Sequence, residues 1–185
     1  MTALDFFARW RVRLGYVVAI AVLWLAHPTP LSLVLGAVVG AGGLGIRGYA
    51  AGYLQKQEVL TTSGPYGRTR NPLYLGSSIL TAGAAIAAHS WWGGALLLFY
   101  FALVYRLVMR REEKEMRAKH GAAFDDYAAR VPLFLPRVTT AAGESSNAAA
   151  AFSWAQYKKN HEYEAALGFL LLLIVLTVIW RLRGQ

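Results

Sequence analysis

Two stretches of this chain carry residue types able to do chemistry: GPYGRTRNPLYLG, residues 64 to 76, and RREEKEM, residues 110 to 116. In the first, Asn71 precedes Pro72, a helix-start signal. Asparagine accepts a hydrogen bond from the orphan N–H groups of a first turn, and proline has no N–H to lose there. A helix N-terminus offers free donors and a positive dipole, so with Arg68 and Arg70 beside it the stretch predicts an anion-binding corner. The plainer alternative is a loop turning into an apolar helix, its arginines reaching to lipid headgroups. Tyr74 and Gly76 fall in the first turns, where glycine lets a ligand or a second helix come close.

In the second stretch, mixed acid and base on a helix is ordinarily a solvated face, and Glu113 with Arg117 and Glu115 with Lys119 fit one-turn pairing. Glu112 does not fit. At about 100° per residue it shares a stripe with Tyr105, Met109 and Met116, where a carboxylate is costly without a dedicated partner. A third stretch, NHEYEAALG at 160 to 168, offers Asn160, Glu162 and Tyr163 as weaker candidates for touching a substrate. His161 reads as a surface histidine, because no second ligand stands at helical spacing; no metal site is expected. Cysteine is absent, which excludes disulfides, thiolate metal sites and a cysteine nucleophile. Soluble-enzyme motifs and nucleic-acid modules are missing too.

The elements that must hold these residues are membrane helices. The chain has 185 residues, of which 56% are hydrophobic. Apolar runs cover residues 14 to 26, 31 to 46, 72 to 88, 91 to 105 and 165 to 180, each near the lower limit for spanning a bilayer. The expected fold is an all-α integral membrane protein of about five transmembrane helices, with cytoplasmic helical segments forming the site. One domain is expected, over 1–185. It starts with a two-span hairpin (1–46) turning at His27-Pro28-Thr29-Pro30. A core carrying both motifs (47–137), a linker and lead-in helix (138–164) and a last span (165–180) follow.

The net charge of +9 reports topology rather than nucleic-acid binding. Arg9, Arg11 and Arg13 precede the first run, and Arg47, Lys56, Arg68 and Arg70 lie between the second and third. Ten more basic residues lie between Arg106 and Lys159, while residues 27 to 30 and 89 to 90 carry none. This asymmetry predicts a cytoplasmic N-terminus, both motifs in the cytoplasm and, by parity, a C-terminus outside. Arg181 and Arg183 stand on the wrong side of that count.

The first motif, about thirty-five residues, a Glu-Glu pair and then HGAAFDDYAARVPLFLP together resemble the isoprenylcysteine carboxyl methyltransferases and their relatives the phospholipid N-methyltransferases. In that family a G-P-Y-x-x-x-R-H-P-x-Y-x-G stretch and a downstream Glu-Glu build the site for S-adenosylmethionine. The resemblance covers roughly residues 45 to 137. RGYAAGYLQK and FSWAQYKKNHEYEAALGF on its flanks look like small bacterial members, which implies a bacterial inner membrane. Position by position, it assigns cofactor contacts to Arg70, Asn71, Tyr74, Gly76, Glu112 and Glu113, and catalytic roles to Arg70, Glu112 and Tyr127. Asn71 stands where many relatives have histidine, and it cannot titrate near neutral pH. His120 and Phe124 replace the usual Phe and first Tyr of the downstream pattern.

The resemblance implies methyl transfer from S-adenosylmethionine, with S-adenosylhomocysteine as product, to a lipid-like acceptor entering from the bilayer. The basic helix start suits the cofactor's carboxylate, and Glu112 and Glu113 suit its ammonium or ribose hydroxyls. A carboxylate acceptor is already ionised at pH 7 and needs no base, whereas an ammonium headgroup must first lose a proton. With no clear base in the sequence beyond Glu162 or Tyr127, a carboxylate acceptor is the expectation. Phospholipid N-methylation is the alternative within enzymes, and a non-catalytic helical scaffold the alternative outside them.

Overall fold

The computed structural model describes residues 3–55, 59–138 and 151–183, with side chains described from residue 13. In chain order the described helices are α1 (Ala3–Leu25), α2 (Pro30–Tyr53), α3 (Pro72–Ala88), α4 (Trp91–His120), α5 (Ala122–Arg130), α6 (Trp154–Lys159) and α7 (Tyr163–Arg183), with a 3-10 turn at Gly64–Gly67. No strand occurs among the described residues, and the chain is an all-α membrane protein. Helices α2, α4 and α7 are long and apolar enough to cross a bilayer, while α3 and the apolar part of α1, Arg13–Leu25, are shorter. The linker expected from residue 138 lies, from residue 139 to 150, outside the described residues.

Local chemistry sets the helix starts. Thr29 caps α2: its hydroxyl accepts from the Ser32 N–H at 3.1 Å and its own N–H donates to the Ser32 hydroxyl at 2.9 Å, a reciprocal pair with Pro30 at the first helical position. Ser90 caps α4 through the Gly93 N–H. Helix α2 then runs past its apolar segment to Tyr53, so Arg47 sits on a helix rather than in a connection.

The centre of the bundle is the antiparallel contact of α2 with α3. Gly36, Gly40 and Gly43 share one stripe of α2, and Gly76 and Gly83 share one of α3. A Cβ built on Gly83 would lie 2.6 Å from the Gly40 nitrogen, and one on Gly43 would lie 2.5 Å from the Leu80 nitrogen. Such small-residue stripes let backbones meet where side-chain hydrophobicity gives no advantage over lipid. Helix α1 lies mainly on α4, and α7 rests on α2 and α3, with Leu176 fully buried.

At one end of the bundle the two short turns are tied together, with the His27 N–H donating to the Ala88 carbonyl at 3.0 Å. Arg183 reaches the same place and donates to the Trp24 and Ala26 carbonyls, which α1 leaves unpaired at its C-terminus. The basic residue that disagreed with the charge count is thus a helix cap, and Arg181 lies over the Trp180 ring at 4.7 Å. At the opposite end α6 closes the C-terminus of α2: the Asn160 amide donates to the Ala51 carbonyl at 2.8 Å and the Leu54 carbonyl at 2.9 Å.

Candidate functional site

The first motif leaves the 3-10 turn at Gly67 and enters α3 at Pro72, and the segment after α5 holds it in this course. The Arg70 N–H donates to the Pro132 carbonyl at 2.9 Å, and the Arg137 N–H donates to the Arg68 carbonyl at 3.0 Å. The Thr69 hydroxyl donates to the Phe134 carbonyl at 2.8 Å and the Asn71 amide to the Leu133 carbonyl at 2.9 Å. Asn71 occupies the N-cap position, but its side chain makes no capping bond. The expectation that it accepts from the first turn is therefore corrected. Its amide is spent as a donor that ties α3 to residues 132–137, and the first-turn N–H groups keep their capacity for another acceptor.

Ion pairing then joins the two motifs. Arg70 Nη1 donates to Glu113 Oε1 at 2.7 Å, with side chains 13% and 24% exposed. The Tyr74 hydroxyl donates to Glu112 Oε1 at 2.6 Å. Tyr74 stands edge-on to Tyr105, which stacks on Phe101, so the apolar stripe expected around Glu112 is present. The reading of Glu113 as a solvated-face carboxylate paired with Arg117 is corrected, however. Glu113 is the half-buried one, held from the first motif, with Arg117 only a secondary partner at 3.9 Å. Glu112, in the same wall, is exposed. Glu115 pairs with Arg111 at 2.7 Å, one turn before it.

Arg70, Asn71, Tyr74, Glu112, Glu113 and Tyr127 all line one cavity of about 550 Å³. That volume falls within the range of small-molecule sites. Its wall is basic at the start of α3, acidic on α4 and apolar where Met109, Met116, Phe124 and Leu133 face it. Among the described residues two buried side-chain polar atoms lack a partner, the Tyr66 hydroxyl and Arg70 Nε, and both residues line the cavity. Orphaned donors of this kind fit an anionic occupant, and the carboxylates opposite fit a cationic one, so the donor set suits an amino-acid-bearing cofactor. Tyr127 is buried and donates its hydroxyl to the Tyr66 carbonyl at 2.7 Å. Burial pushes its phenol well above the ordinary range, and so it stays protonated.

Four candidates lie outside the cavity wall. Gly76 faces α2: a Cβ there would meet Arg47 Cγ at 2.7 Å and the Gly43 carbonyl at 2.8 Å, so its missing side chain serves a helix rather than a ligand. Asn160 caps α2, as described above. Glu162, 7% exposed, grips Arg47, its Oε1 2.5 Å from Nε and its Oε2 3.1 Å from Nη2; Arg47 also donates to the Ser77 hydroxyl. Tyr163 is exposed, with its hydroxyl 3.0 Å from Nδ1 of His161. His161 is itself exposed, and no group of three or more His, Asp or Glu among the described residues is placed to hold a metal ion.

Sequence reasoning passed over Arg47, Tyr66 and His120, among other residues in the wall. Arg47 was counted as a topology charge, Tyr66 stood in the G-P-Y stretch with no role of its own, and His120 was only a departure from a pattern. A signal for His120 did exist, since it continues the stripe of Met109, Glu112 and Met116 by one more turn.

Comparison with known proteins agrees with this geometry. The family model described as phospholipid methyltransferase matches residues 31–123. The chain is 33% identical over 148 residues to the cobalt-zinc-cadmium resistance protein CzcN of Cupriavidus metallidurans, covering 74% of this chain and 66% of that one. It is 32% identical over 145 residues to the nickel-cobalt-cadmium resistance protein NccN of Alcaligenes xylosoxydans xylosoxydans, covering 74% and 67%. The chain thus spans about two thirds of the length of these relatives. No solved structure matches it. On the family match and the convergence of both motifs on one cavity, the chain belongs to the phospholipid methyltransferase family.

Proposed function

We propose that the protein is a membrane-embedded methyltransferase that uses S-adenosylmethionine and methylates a lipophilic acceptor, by preference on a carboxylate. The observation that carries this reading is the cavity between α3, α4 and α5, where both motifs meet through Arg70 and Glu113 at 2.7 Å. Bound there, S-adenosylmethionine supplies an electrophilic methyl group on a sulfonium. The chain's own part is electrostatic and positional. Arg70 and the free N–H groups opening α3 hold a carboxylate, Glu112 and Glu113 hold an ammonium or hydroxyls, and Met109, Met116 and Phe124 exclude water. Rate then comes from holding acceptor and donor in line, about 3 to 3.5 Å apart.

A carboxylate acceptor is favoured because neither base considered from the sequence is available. The Tyr127 hydroxyl is committed to a carbonyl, and Glu162 is committed to Arg47. N-methylation of a phospholipid amine is the second reading, favoured by His120, a titratable side chain in the same wall. The names of the two relatives refer to metal resistance, and the cavity's donor set suits methyl transfer rather than metal binding. The N-terminus, residues 47–70 and residues 106–160 are proposed to be cytoplasmic and the C-terminus outside, in a bacterial inner membrane.

Detergent-purified protein in S-adenosylhomocysteine at 100 times its Kd should gain about 2.7 kcal/mol of stability. Incubation with labelled S-adenosylmethionine and total bacterial lipid, then mild base, separates the acceptors. An ester releases label as volatile methanol, and a methylated amine keeps it. No binding and no transfer would leave the scaffold reading standing.

A further inference from the structure

We propose that the face of α4 carrying Arg106, Arg110 and Lys114 is a binding site for an anionic phospholipid, its phosphodiester held between the two arginines and an acyl chain lying along Leu103 and Phe99. The inference goes beyond the methyl-transfer reading and does not rest on it. Helix α4 has 30 residues, so at about 45 Å it outruns a hydrocarbon core of about 30 Å. At about 100° per residue Trp92, Phe99, Leu103, Arg106, Arg110 and Lys114 fall on one stripe. Trp92, Phe99 and Leu103 are 80%, 69% and 38% exposed, so this side of the helix faces the bilayer before it turns basic.

Charge pairing separates these three cations from their neighbours. Arg111 pairs with Glu115 at 2.7 Å and Arg117 with Asp125 at 2.7 Å, while Glu113, at the edge of the stripe, is committed to Arg70 at 2.7 Å. Arg106, Arg110 and Lys114 are exposed, and none of them has a hydrogen-bond or ion-pair partner among the described residues. Like charges at one-turn spacing repel one another. A helix that pairs the cations around them and leaves this column open presents it to an anion from outside the chain.

The direction of the helix decides which anion. Each Cα–Cβ bond tilts toward the helix N-terminus, and for α4 that end lies across the bilayer, so all three side chains lean back toward the membrane surface. Arg106 lies one turn past Leu103 and Arg110 one turn further, which brackets a headgroup layer about 5–7 Å deep. Lys114, about 12 Å beyond Arg106, adds attraction across a Debye length of about 8–10 Å. The guanidinium fork matches phosphate oxygens, so the two arginines make the contact and the lysine supports it. A soluble phosphate would match the charges but leave Leu103 and Phe99 unused. Only a lipid carries an anion and an acyl chain along the same line.

The test is native mass spectrometry of the full chain released from a neutral detergent that holds equimolar phosphatidylglycerol and phosphatidylcholine with the same acyl chains. Wild type should carry phosphatidylglycerol in preference, and Arg106→Gln/Arg110→Gln should lower that preference by about tenfold or more. Arg111→Gln/Arg130→Gln removes the same charge from arginines already bonded within the chain and should leave the preference unchanged. Arg106→Lys/Arg110→Lys keeps the charge without the fork and should restore part of it. The melting temperature of Arg106→Gln/Arg110→Gln should match wild type, since no internal bond is lost, and a clear drop would reveal a partner within the chain and overturn the proposal. No preference in wild type, or an equal fall in both glutamine double variants, would reduce the effect to net charge and overturn it as well. Displacement of bound phosphatidylglycerol by excess inorganic phosphate would make this a site for a soluble anion, and a lysine pair that restores nothing would remove the charge argument; either result sinks the lipid assignment.

Discussion

Arg70 and Glu113, 43 residues apart in sequence, meet at 2.7 Å, and this contact makes one site out of two motifs. Both side chains are mostly buried, so the pair is screened far less than the exposed Arg111–Glu115 pair, 59% and 60% exposed. Glu113→Gln should cost about 1.5–3 kcal/mol of stability and Glu115→Gln under about 0.5. Paired thermal melts of the two variants decide this, and equal losses would mean that the Arg70 contact is not special.

The hydroxyl of Tyr74 and the carboxylate of Glu112 should behave as one unit toward the cofactor. Tyr74→Phe and Glu112→Gln each weaken S-adenosylhomocysteine binding by about tenfold, and the double variant loses less than the product of the two. A coupling of about 0.5–3 kcal/mol is expected for residues in direct contact. Strict additivity by calorimetry would dissociate them.

Backbone proximity of α2 and α3 predicts opposite outcomes for two neighbouring glycines. Gly43→Ala drives a Cβ to 2.5 Å from the Leu80 nitrogen and should cost about 1–3 kcal/mol. Gly45→Ala meets nothing within 4 Å and should stabilise α2 by about 0.5–1 kcal/mol. Melting curves in one detergent suffice, and a neutral Gly43→Ala would mean that the helices can part without cost.

Alkaline pH should destabilise the fold through Tyr66 and Tyr127, because both phenols are raised above the ordinary value near 10. The folded state keeps protons that the unfolded state loses. The stabilising contribution is therefore full below pH 10 and declines as pH rises from there toward the folded values. Each tyrosine contributes a slope of about 1.4 kcal/mol per pH unit in that window. Tyr127→Phe lowers stability at pH 8 by about 1 kcal/mol through the lost bond to the Tyr66 carbonyl, yet it flattens the decline above pH 10. An unchanged slope would place the titrating groups elsewhere.

Charge placement predicts that the cavity end of the bundle faces the cytoplasm. Reporter fusions after residues 60 and 120 should report inside, and those after residues 29 and 90 outside. An inside signal at residue 29 would mean that α1 does not cross the membrane.

How much of this was legible in the sequence varied with the reach of each interaction. The apolar helices, and the turn at His27-Pro28-Thr29-Pro30 between the first two, followed from signals that act within a few residues. The grouping of Arg70, Asn71, Tyr74, Glu112, Glu113 and Tyr127 followed from motif content. What the pattern hid was who touches whom. Arg47 and Glu162 are 115 residues apart, and nothing local distinguishes a topology charge from half of a buried ion pair. Asn160 looked like part of a lead-in to α7 because its acceptors, the carbonyls ending α2, are more than 100 residues away. Asn71 was misread for the same reason, its carbonyl partner lying 62 residues downstream.

The backbone pairing of residues 68–71 with 132–137 also sets a clock on assembly. Its partners are separated by 62 to 69 residues, so at a synthesis rate of about 5–20 residues per second the loop before α3 waits about 3–14 s for the strap that fastens it. Meanwhile the carbonyls and N–H groups of that loop must be served by water or by a chaperone at the membrane surface. A nascent chain stalled so that its emerged part ends between residues 123 and 131 has α2, α3 and α4 complete and the cavity still unlatched. Proteolysis at Arg68 or Arg70 in such stalled chains, and its disappearance once residue 137 has emerged, would time the moment at which the site first exists.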